Sequence, residues 1–300
     1  ITFIINLILN MDNEMQLLID KELNSDDKIL KPDFNSKTGR ELLAFYLQTK
    51  FKQILAYDKR CETPMFKDVD PTFISRFTKR LITNPAKRLL IGIAGESASG
   101  KSTVCREVKN VIERLDMPVS VLSTDNYFND ISALIKKFGS FDNLRDNGYD
   151  VDSPKSFQLD LLRQDLQDLS NGETVYAPRY VPNGTGVSIP KATKIESDKI
   201  VVVEGIAALY DDVKDVFDVK IYIETDNEVR YNRFMKRAQE ERNQDKENAM
   251  KHWQYLLDVG EKYVIPCREA ADFVLDGNSD LNYFDKILEY IHTITNNFQQ

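Results

Sequence analysis

The chain has 300 residues, an apolar content of 42% and a formal net charge of −8. Its length predicts one large α/β domain with an appendage. Its acidic balance argues against a nucleic-acid partner, because surfaces that bind nucleic acid are usually basic. Three scattered cysteines and two histidines predict neither a disulfide framework nor a zinc or His-rich centre, and a cytoplasmic location fits best.

Residues 1–85 are predicted to form a helical N-terminal extension. Between residues 12 and 85 the only glycine is Gly39, and apolar residues recur at helical spacing. The helical candidates are Glu14–Leu23, Thr38–Tyr57 and a third segment that begins at Asp70-Pro71, a capping residue followed by proline. We expect this extension to pack on the body of the protein or on a second copy in a homo-oligomer.

The first ten residues carry no functional prediction. The apolar segment Ile1–Leu9 is shorter than the roughly 20 residues that a bilayer requires, so no membrane partner is predicted. The chain begins with Ile and Met11 follows, which is compatible with residues 1–10 lying upstream of the natural start.

Residues 86–300 alternate strand and helix patterns and are predicted to form one domain. A continuously apolar run such as Ile200–Val203 favours a parallel sheet that is covered on both faces. The predicted architecture is a three-layer α/β nucleotide-binding fold. Strands are predicted at 88–94, 118–123, 173–176, 199–204, 217–223 and 272–276, and helices near 101–115, 154–170, 226–258 and 280–297.

A phosphate-binding loop follows the first predicted strand of this domain. The pattern G-x-x-x-x-G-K-S runs from Gly95 to Ser102, between an apolar strand and a helical segment. Backbone N–H groups at a helix N-terminus can surround a triphosphate, Lys101 can reach the β- and γ-phosphates, and the Ser102 hydroxyl can bind Mg²⁺. The predicted ATP-binding residues are Gly95, Glu96, Ser97, Ala98, Ser99, Gly100, Lys101, Ser102 and Thr103.

Two later strands are followed by a carboxylate where ligands of parallel sheets bind. Asp125 comes just after the strand 118–123, and Glu204 ends the apolar run 200–203. Asp125 can accept a proton from an attacking hydroxyl, although an Asx turn or helix cap explains an aspartate there equally well. Glu204 can hold Mg²⁺, directly or through water.

A predicted helix after residue 226 carries four arginines, Arg230, Arg233, Arg237 and Arg242. Arginines on one helix face can close over a transferring phosphoryl group and stabilise its charge. Glutamates are interspersed among them, so the spacing alone slightly favours a surface helix held by salt bridges.

Taken in order, these segments resemble the uridine kinase / phosphoribulokinase family of P-loop kinases over roughly residues 88–277. The resemblance rests on the loop Gly92–Thr103, on Thr124-Asp125-Asn126-Tyr127-Phe128, on Val151-Asp152-Ser153-Pro154, on Pro178-Arg179-Tyr180, on Glu204-Gly205-Ile206 and on the arginine helix. It implies a P-loop kinase fold for residues 86–300. It also implies that Asp125 is the catalytic base, with Lys101, Arg237 and Arg242 assisting transfer. Asp152, Tyr180 and Arg233 are then the acceptor-binding residues, and Ser102 and Glu204 the Mg²⁺ ligands.

The sequence departs from the family pattern on the acceptor side. In uridine kinase a histidine that reads the uracil follows the Pro-x-Tyr segment, whereas residues 181–186 here contain none, and Gln244 replaces the second lid arginine. The predicted activity is ATP- and Mg²⁺-dependent phosphorylation of a primary hydroxyl, with uridine or cytidine as the leading acceptor. The alternatives are another acceptor of the same family, such as pantothenate, glycerate, a sugar phosphate or another nucleoside, or a regulatory nucleotide-binding protein with weak ATPase activity.

Overall fold

The structure is a computed structural model that describes residues 48, 52, 55, 56, 58–60, 62, 64–83, 87–114, 118–240 and 245–278. The predicted helices at 14–23 and 280–297, and most of the one at 38–57, lie outside these residues. The strands are β1 Phe66–Val69, β2 Leu89–Gly95, β3 Val119–Ser123, β4 Val175–Tyr180, β5 Ser188–Ile195, β6 Ile200–Glu204, β7 Val219–Glu224 and β8 Phe273–Asp276. The α-helices are α1 Phe73–Thr83, α2 Lys101–Arg114, α3 Ser132–Phe138, α4 Phe141–Asp146, α5 Leu159–Ser170, α6 Asn227–Glu240 and α7 Lys246–Val259.

Six strands form one sheet in the order β1-β8-β7-β2-β6-β3. The five strands β2, β3, β6, β7 and β8 are parallel, which confirms the predicted α/β fold with a parallel sheet. Every residue of β2 is buried, so both faces of the sheet are covered, as expected for parallel strands that read as continuous apolar runs. The carboxyl ends of these strands therefore meet at one edge.

The strand β1 was not predicted in the N-terminal extension, where it lies between the second and third predicted helices. This four-residue strand pairs antiparallel with β8 and closes one edge of the sheet. The third predicted helix exists as α1. Just before it, the Asp70 carboxylate accepts a hydrogen bond from the Thr72 amide at 2.8 Å. Phe73 and Phe77 of α1 are buried, and the Phe73 ring meets Phe273 of β8 edge-on at 4.6 Å.

The chain after β3 differs from the predicted helices in two places. The short helices α3 and α4 were not predicted; α4 starts where Ser140 accepts a hydrogen bond from the Asn143 amide at 3.1 Å. The predicted helix 226–258 is instead two helices, because Asp245 caps the start of α7 by accepting from the Asn248 amide at 3.0 Å.

The strands β4 and β5 form a separate antiparallel hairpin outside the main sheet. Only the first of them was predicted, because β5 is largely exposed and carries little apolar periodicity. The hairpin turn and the α3–α4 segment both reach the cleft at the carboxyl edge of the sheet.

Candidate active site

A cleft of about 1480 Å³ lies at the carboxyl edge of the parallel strands. It is lined by residues that follow β2, β3 and β6, by α6 and α7, and by the hairpin turn. This is where ligands of open α/β sheets bind. Of the predicted site residues, Ser97, Ala98, Ser99, Gly100, Lys101, Ser102, Thr103, Asp125, Asp152, Tyr180, Glu204, Arg233 and Arg237 line this cleft.

The phosphate loop connects β2 to the start of α2. Gly95 has φ 150°, and a Cβ atom there would lie 2.6 Å from the Ile223 carbonyl oxygen, so only glycine fits. The loop is supported from outside, because the Ser99 carbonyl accepts a hydrogen bond from the Thr225 hydroxyl at 2.8 Å. The result is a preformed backbone cradle at the N-terminus of α2, which suits an anion.

Lys101 is buried at the base of this loop and donates a hydrogen bond to the Glu96 carbonyl oxygen at 2.9 Å. Burial lowers the pKa of Lys101 below its usual range, while the charges of Glu204 and Asp125 oppose that shift. Glu204 and Asp125 are therefore close enough to Lys101 to act on its charge, as expected if the three side chains belong to one site.

Ser102 and Glu204 face each other across the loop and the end of β6. The Ser102 hydroxyl donates to Glu204 Oε2 at 3.3 Å. A hydroxyl and a carboxylate are hard oxygen donors that suit Mg²⁺, which keeps several waters and takes its remaining ligands from phosphates. Consistent with so few protein ligands, no group of three or more His, Cys, Asp and Glu residues that could hold a metal occurs in the described part of the chain.

Asp125 lies in a short 3₁₀ turn, Thr124–Tyr127, directly after β3. Its amide donates to the Ser123 hydroxyl at 3.4 Å, so Ser123 acts as the cap and the Asp125 carboxylate is not needed for that role. The turn is anchored at its other end, where the buried Tyr127 hydroxyl donates to Asp165 of α5 at 2.7 Å. Asp125 is exposed to the cleft, as a group that meets a substrate must be.

Asp152 is half-buried and lines the same cleft. Burial raises the pKa of Asp152 to about 7, and the charge of Asp125 adds to that shift while Lys101 opposes it. Asp125 and Asp152 therefore influence each other electrostatically across one space. Such perturbed carboxyl groups in a cleft are typical of functional sites.

Aromatic rings form the wall next to Asp152. Phe128 stacks on Phe157 with ring centroids 4.1 Å apart, and the half-buried Tyr180 ring lies 5.2 Å from Phe128. Burial raises the pKa of Tyr180. The rings of Phe128 and Tyr180 offer an apolar surface in the same cleft as the Asp152 carboxylate. Phe128 belongs to the motif Thr124–Phe128 but was not predicted to be a site residue.

Two arginines of α6, Arg233 and Arg237, lie at the cleft. Arg233 donates to the Gly277 carbonyl at 2.9 Å and lies 3.4 Å from the Ser99 carbonyl, so it borders the phosphate loop. Arg237 lines the cleft. Arg242 and Gln244 lie outside the described residues, and their predicted roles are not tested.

Arg230, the first of the four arginines along the chain, is fully buried. It pairs with the Glu96 carboxylate at 2.7 Å, donates to the Ser97 carbonyl at 3.0 Å and lies 5.3 Å from the centre of the Trp253 ring. The Glu96 side chain thus pairs behind the loop and is not among the residues that line the described cleft. The Glu96 side chain supports the loop through this pair, and the ATP-binding role of Glu96 as a residue of the loop stays a prediction.

Three tyrosines near Asp152 were not predicted as part of the site. Tyr210, Tyr255 and Tyr263 each bond to the segment 150–152. They are 58 to 113 positions away from their partners along the chain, so no local motif could have indicated them.

No helix among the described residues is long and apolar enough to cross a bilayer. Two arginines of α1 form ion pairs with aspartates next to β7 and β8: Arg80 contacts Asp218 at 2.6 Å, and Arg76 contacts Asp272 at 2.5 Å. These pairs fasten α1 to the sheet.

Known proteins resemble this chain over the same region. A uridine kinase of Staphylococcus haemolyticus (strain JCSC1435) is 32% identical over 213 residues, which cover 70% of this chain and 98% of that protein. A uridine kinase of Staphylococcus aureus (strain JH9) is 34% identical over 197 residues, covering 64% and 89% respectively. Uridine-cytidine kinase A of Dictyostelium discoideum is 31% identical over 209 residues, covering 68% of this chain and 38% of that longer protein.

The family model agrees with the fold and with the cleft. Residues 90–282 match the Phosphoribulokinase / Uridine kinase family, and this range contains the phosphate loop, both strand-end acids and the arginines of α6. The match covers more than half of the 300 residues. The chain therefore belongs to the phosphoribulokinase / uridine kinase family of P-loop kinases.

Proposed function

We propose that the protein transfers the γ-phosphoryl group of ATP to the primary hydroxyl of a neutral nucleoside, with uridine or cytidine as the leading acceptor. The observation that carries this proposal is the convergence of Lys101, Asp125, Glu204 and Asp152 on one cleft, where the charges of Glu204 and Asp125 act on the pKa of Lys101 and the charge of Asp125 acts on the pKa of Asp152. Uridine kinases are also among the relatives that cover most of the domain.

On the donor side, the loop backbone and Lys101 bind the phosphates of ATP. Ser102 and Glu204 would hold Mg²⁺, which would neutralise part of the negative charge of the phosphates. Arg237, and Arg233 beside the loop, add positive charge where negative charge develops during transfer.

On the acceptor side, Asp152 accepts hydrogen bonds from sugar hydroxyls and Tyr180 with Phe128 provides the surface for a base. Asp125 orients the attacking hydroxyl and takes its proton as the hydroxyl oxygen bonds to the γ-phosphorus, while the bond from that phosphorus to the β,γ-bridging oxygen breaks and ADP leaves. In this proposal the acceptor hydroxyl lies between Asp125 and the phosphate loop.

The charge of the cleft supports a neutral acceptor over the anionic alternatives. Its lysines and arginines lie on the phosphate loop, α2 and α6: Lys101, Arg106, Arg233, Lys236 and Arg237. The part near the hairpin and the α3–α4 segment contributes Asp142 and Asp152 with aromatic rings. Arg145 pairs with Asp142 at 2.9 Å but does not line the cleft, so the lining residues of this part that carry charge are carboxylates. Pantothenate, glycerate and sugar phosphates are anions, and such a lining disfavours them.

The decisive experiment is an acceptor panel with ATP and Mg²⁺: the four ribonucleosides, pantothenate, glycerate and a pentose phosphate. Phosphorylation of a nucleoside supports the proposal, and turnover of an anionic acceptor alone contradicts it.

A second experiment separates a kinase from a regulatory nucleotide-binding protein. Asp125→Asn should lower kcat by roughly 10²- to 10⁴-fold, because general-base assistance is lost, while ATP affinity stays near the wild-type value. A regulatory protein would show no phosphotransfer to lose. Asp130→Asn, at an exposed position of the next turn, controls for the loss of a nearby charge.

A further inference from the structure

The segment 150–152 is held by three tyrosine hydroxyls that come from three different elements. Tyr263 donates to Asp150 Oδ2, the Val151 amide donates to Tyr255 Oη, and Tyr210 donates to the Asp152 carbonyl, each at 2.6 Å. Three consecutive residues thus have one short hydrogen bond each. We call Tyr210, Tyr255 and Tyr263 the tyrosine clamp.

The three tyrosines have little freedom of their own. Tyr210 is 2% exposed and follows the 3₁₀ turn Ile206–Leu209 after β6. Tyr255 is on α7 and Tyr263 in the π-helical turn Gly260–Val264 that follows α7. A π-helical turn inside a helical run is often found at a functional site, because it re-aims side chains. Here it aims the Tyr263 hydroxyl at Asp150.

The segment needs such anchors because it brings the carboxylates of Asp150 and Asp152 close to a third carboxylate, Asp125, at the cleft. Burial and the charge of Asp125 both disfavour an ionised Asp152, and Asp150 adds a further negative charge. An unanchored loop would relieve this cost by moving the carboxylate toward solvent. The anchors contact Asp150, Val151 and the Asp152 backbone, and leave the Asp152 carboxylate to the cleft.

We infer that the tyrosine clamp consists of positioning residues that hold Asp152 in place for the acceptor and act on acceptor binding without acting on the nucleotide. The inference rests on the proposed function, in which Asp152 binds the hydroxyls of a nucleoside. It assigns a role to Tyr255 on α7 and to Tyr263 in the turn that follows α7, so that this part of the chain and the segment 150–152 are held together.

The test removes one hydroxyl at a time with Tyr210→Phe, Tyr255→Phe and Tyr263→Phe, using the nucleoside that the wild-type enzyme phosphorylates best. Because a hydrogen bond to a charged or buried group is lost, each substitution should raise KM for the acceptor by about tenfold. KM for ATP should stay within about twofold, because the phosphate loop has its own supports. Tyr176→Phe, at an exposed position of β4, is the matched control.

Two further variants separate a positioning role from a general loss of stability. Asp150→Asn keeps an oxygen that can accept from Tyr263 and should retain most of the acceptor affinity, whereas Asp150→Ala should behave like Tyr263→Phe. Equal rises in both KM values, a fall in kcat alone, or unchanged kinetics in all three tyrosine variants would overturn the inference.

Amide hydrogen exchange gives a readout that does not need turnover. In the wild-type protein the Val151 amide should be protected, and Tyr255→Phe should speed its exchange by about tenfold or more. An unprotected Val151 amide in the wild-type protein overturns the clamp. Failure of the wild-type protein to phosphorylate any nucleoside overturns the proposed function instead, so the two failures are distinguishable.

Discussion

The ion pair behind the phosphate loop allows a quantitative test of how the loop is held. Arg230 is completely buried, and besides Glu96 its guanidinium has the Ser97 carbonyl and the Asn227 side chain as partners. Its second terminal nitrogen has no hydrogen-bond partner among the described residues. Glu96→Ala therefore leaves a buried cation that has lost its only carboxylate contact described here.

The expected cost follows from the burial of both groups. Removing one partner of a buried ion pair costs about 3–5 kcal/mol, and because the Glu96 side chain keeps 13% exposure, about 3 kcal/mol is the expected loss. Arg230→Met should cost about as much, whereas the double variant should lose only about 3 kcal/mol, because neither charge remains unpaired. The non-additivity distinguishes an ion pair from two independent packing contacts.

The assay is urea denaturation followed by tryptophan fluorescence. Trp253 is the single tryptophan of the chain, and its ring centre lies 5.3 Å from the Arg230 guanidinium carbon, so the probe reports on the perturbed region. Glu107→Ala, which removes the partner of an exposed arginine, is the control and should change stability by less than about 0.5 kcal/mol. A loss below about 0.5 kcal/mol in Glu96→Ala, or strictly additive losses in the double variant, would refute the reasoning.

Two other predictions concern pH and the N-terminal boundary. Burial raises the pKa of Asp152 to about 7, so the carboxyl is protonated below that pH. We therefore expect kcat/KM for the acceptor to increase as the pH rises through about 7. A profile without this step, or the same step in Asp152→Asn, contradicts the assignment. A chain that begins at residue 86 lacks β1 and α1 and exposes the edge of β8 with the partners of Phe73 and Phe77, so its thermal midpoint should fall by several degrees or it should aggregate. A chain that begins at residue 58 keeps β1 and α1 and is the control. Equal thermal midpoints for the two shortened chains would show that β1 and α1 do not stabilise the sheet.

The donor half of the site was predictable because its chemistry is local. The residues of the phosphate loop are contiguous, and Glu204 and Asp125 each follow an apolar strand, so the sequence itself indicates that they meet at one edge of a parallel sheet. Lys101 and Ser102 belong to the same short pattern. Nothing beyond the loop signature and strand periodicity was needed to expect these side chains in one cleft.

The unpredicted parts depend on tertiary contacts. The strand β1, with sequence Phe-Lys-Asp-Val, has no apolar run and forms because the edge of β8 is available to it. The tyrosine clamp joins residues that are far apart along the chain, and the burial of Arg230 depends on Trp253 from a second helix. Even the break between α6 and α7 has only the capping aspartate Asp245 as a sequence signal.

The segment 150–152 and the hairpin turn differ in how they are hydrogen-bonded, and this difference predicts which acceptors the enzyme selects. Asn183, at the hairpin turn, is exposed, and its side-chain oxygen is occupied by the Thr185 amide and hydroxyl. The segment that meets sugar hydroxyls is therefore held by bonds to three tyrosines from elsewhere in the chain, whereas the Asn183 side chain at the hairpin bonds within its own turn.

A site that hydrogen-bonds a hydroxyl rejects an analogue without it far more strongly than an apolar surface rejects a different ring. Loss of a sugar hydroxyl that bonds Asp152 should therefore lower kcat/KM by roughly 10²-fold or more, while exchange of one base for another should change it by less than about tenfold. Comparing uridine with 2′-deoxyuridine, 3′-deoxyuridine, cytidine and inosine measures both effects. A chain that tolerated both deoxynucleosides yet rejected inosine would place recognition on the hairpin, and Asp152 would lose its proposed role.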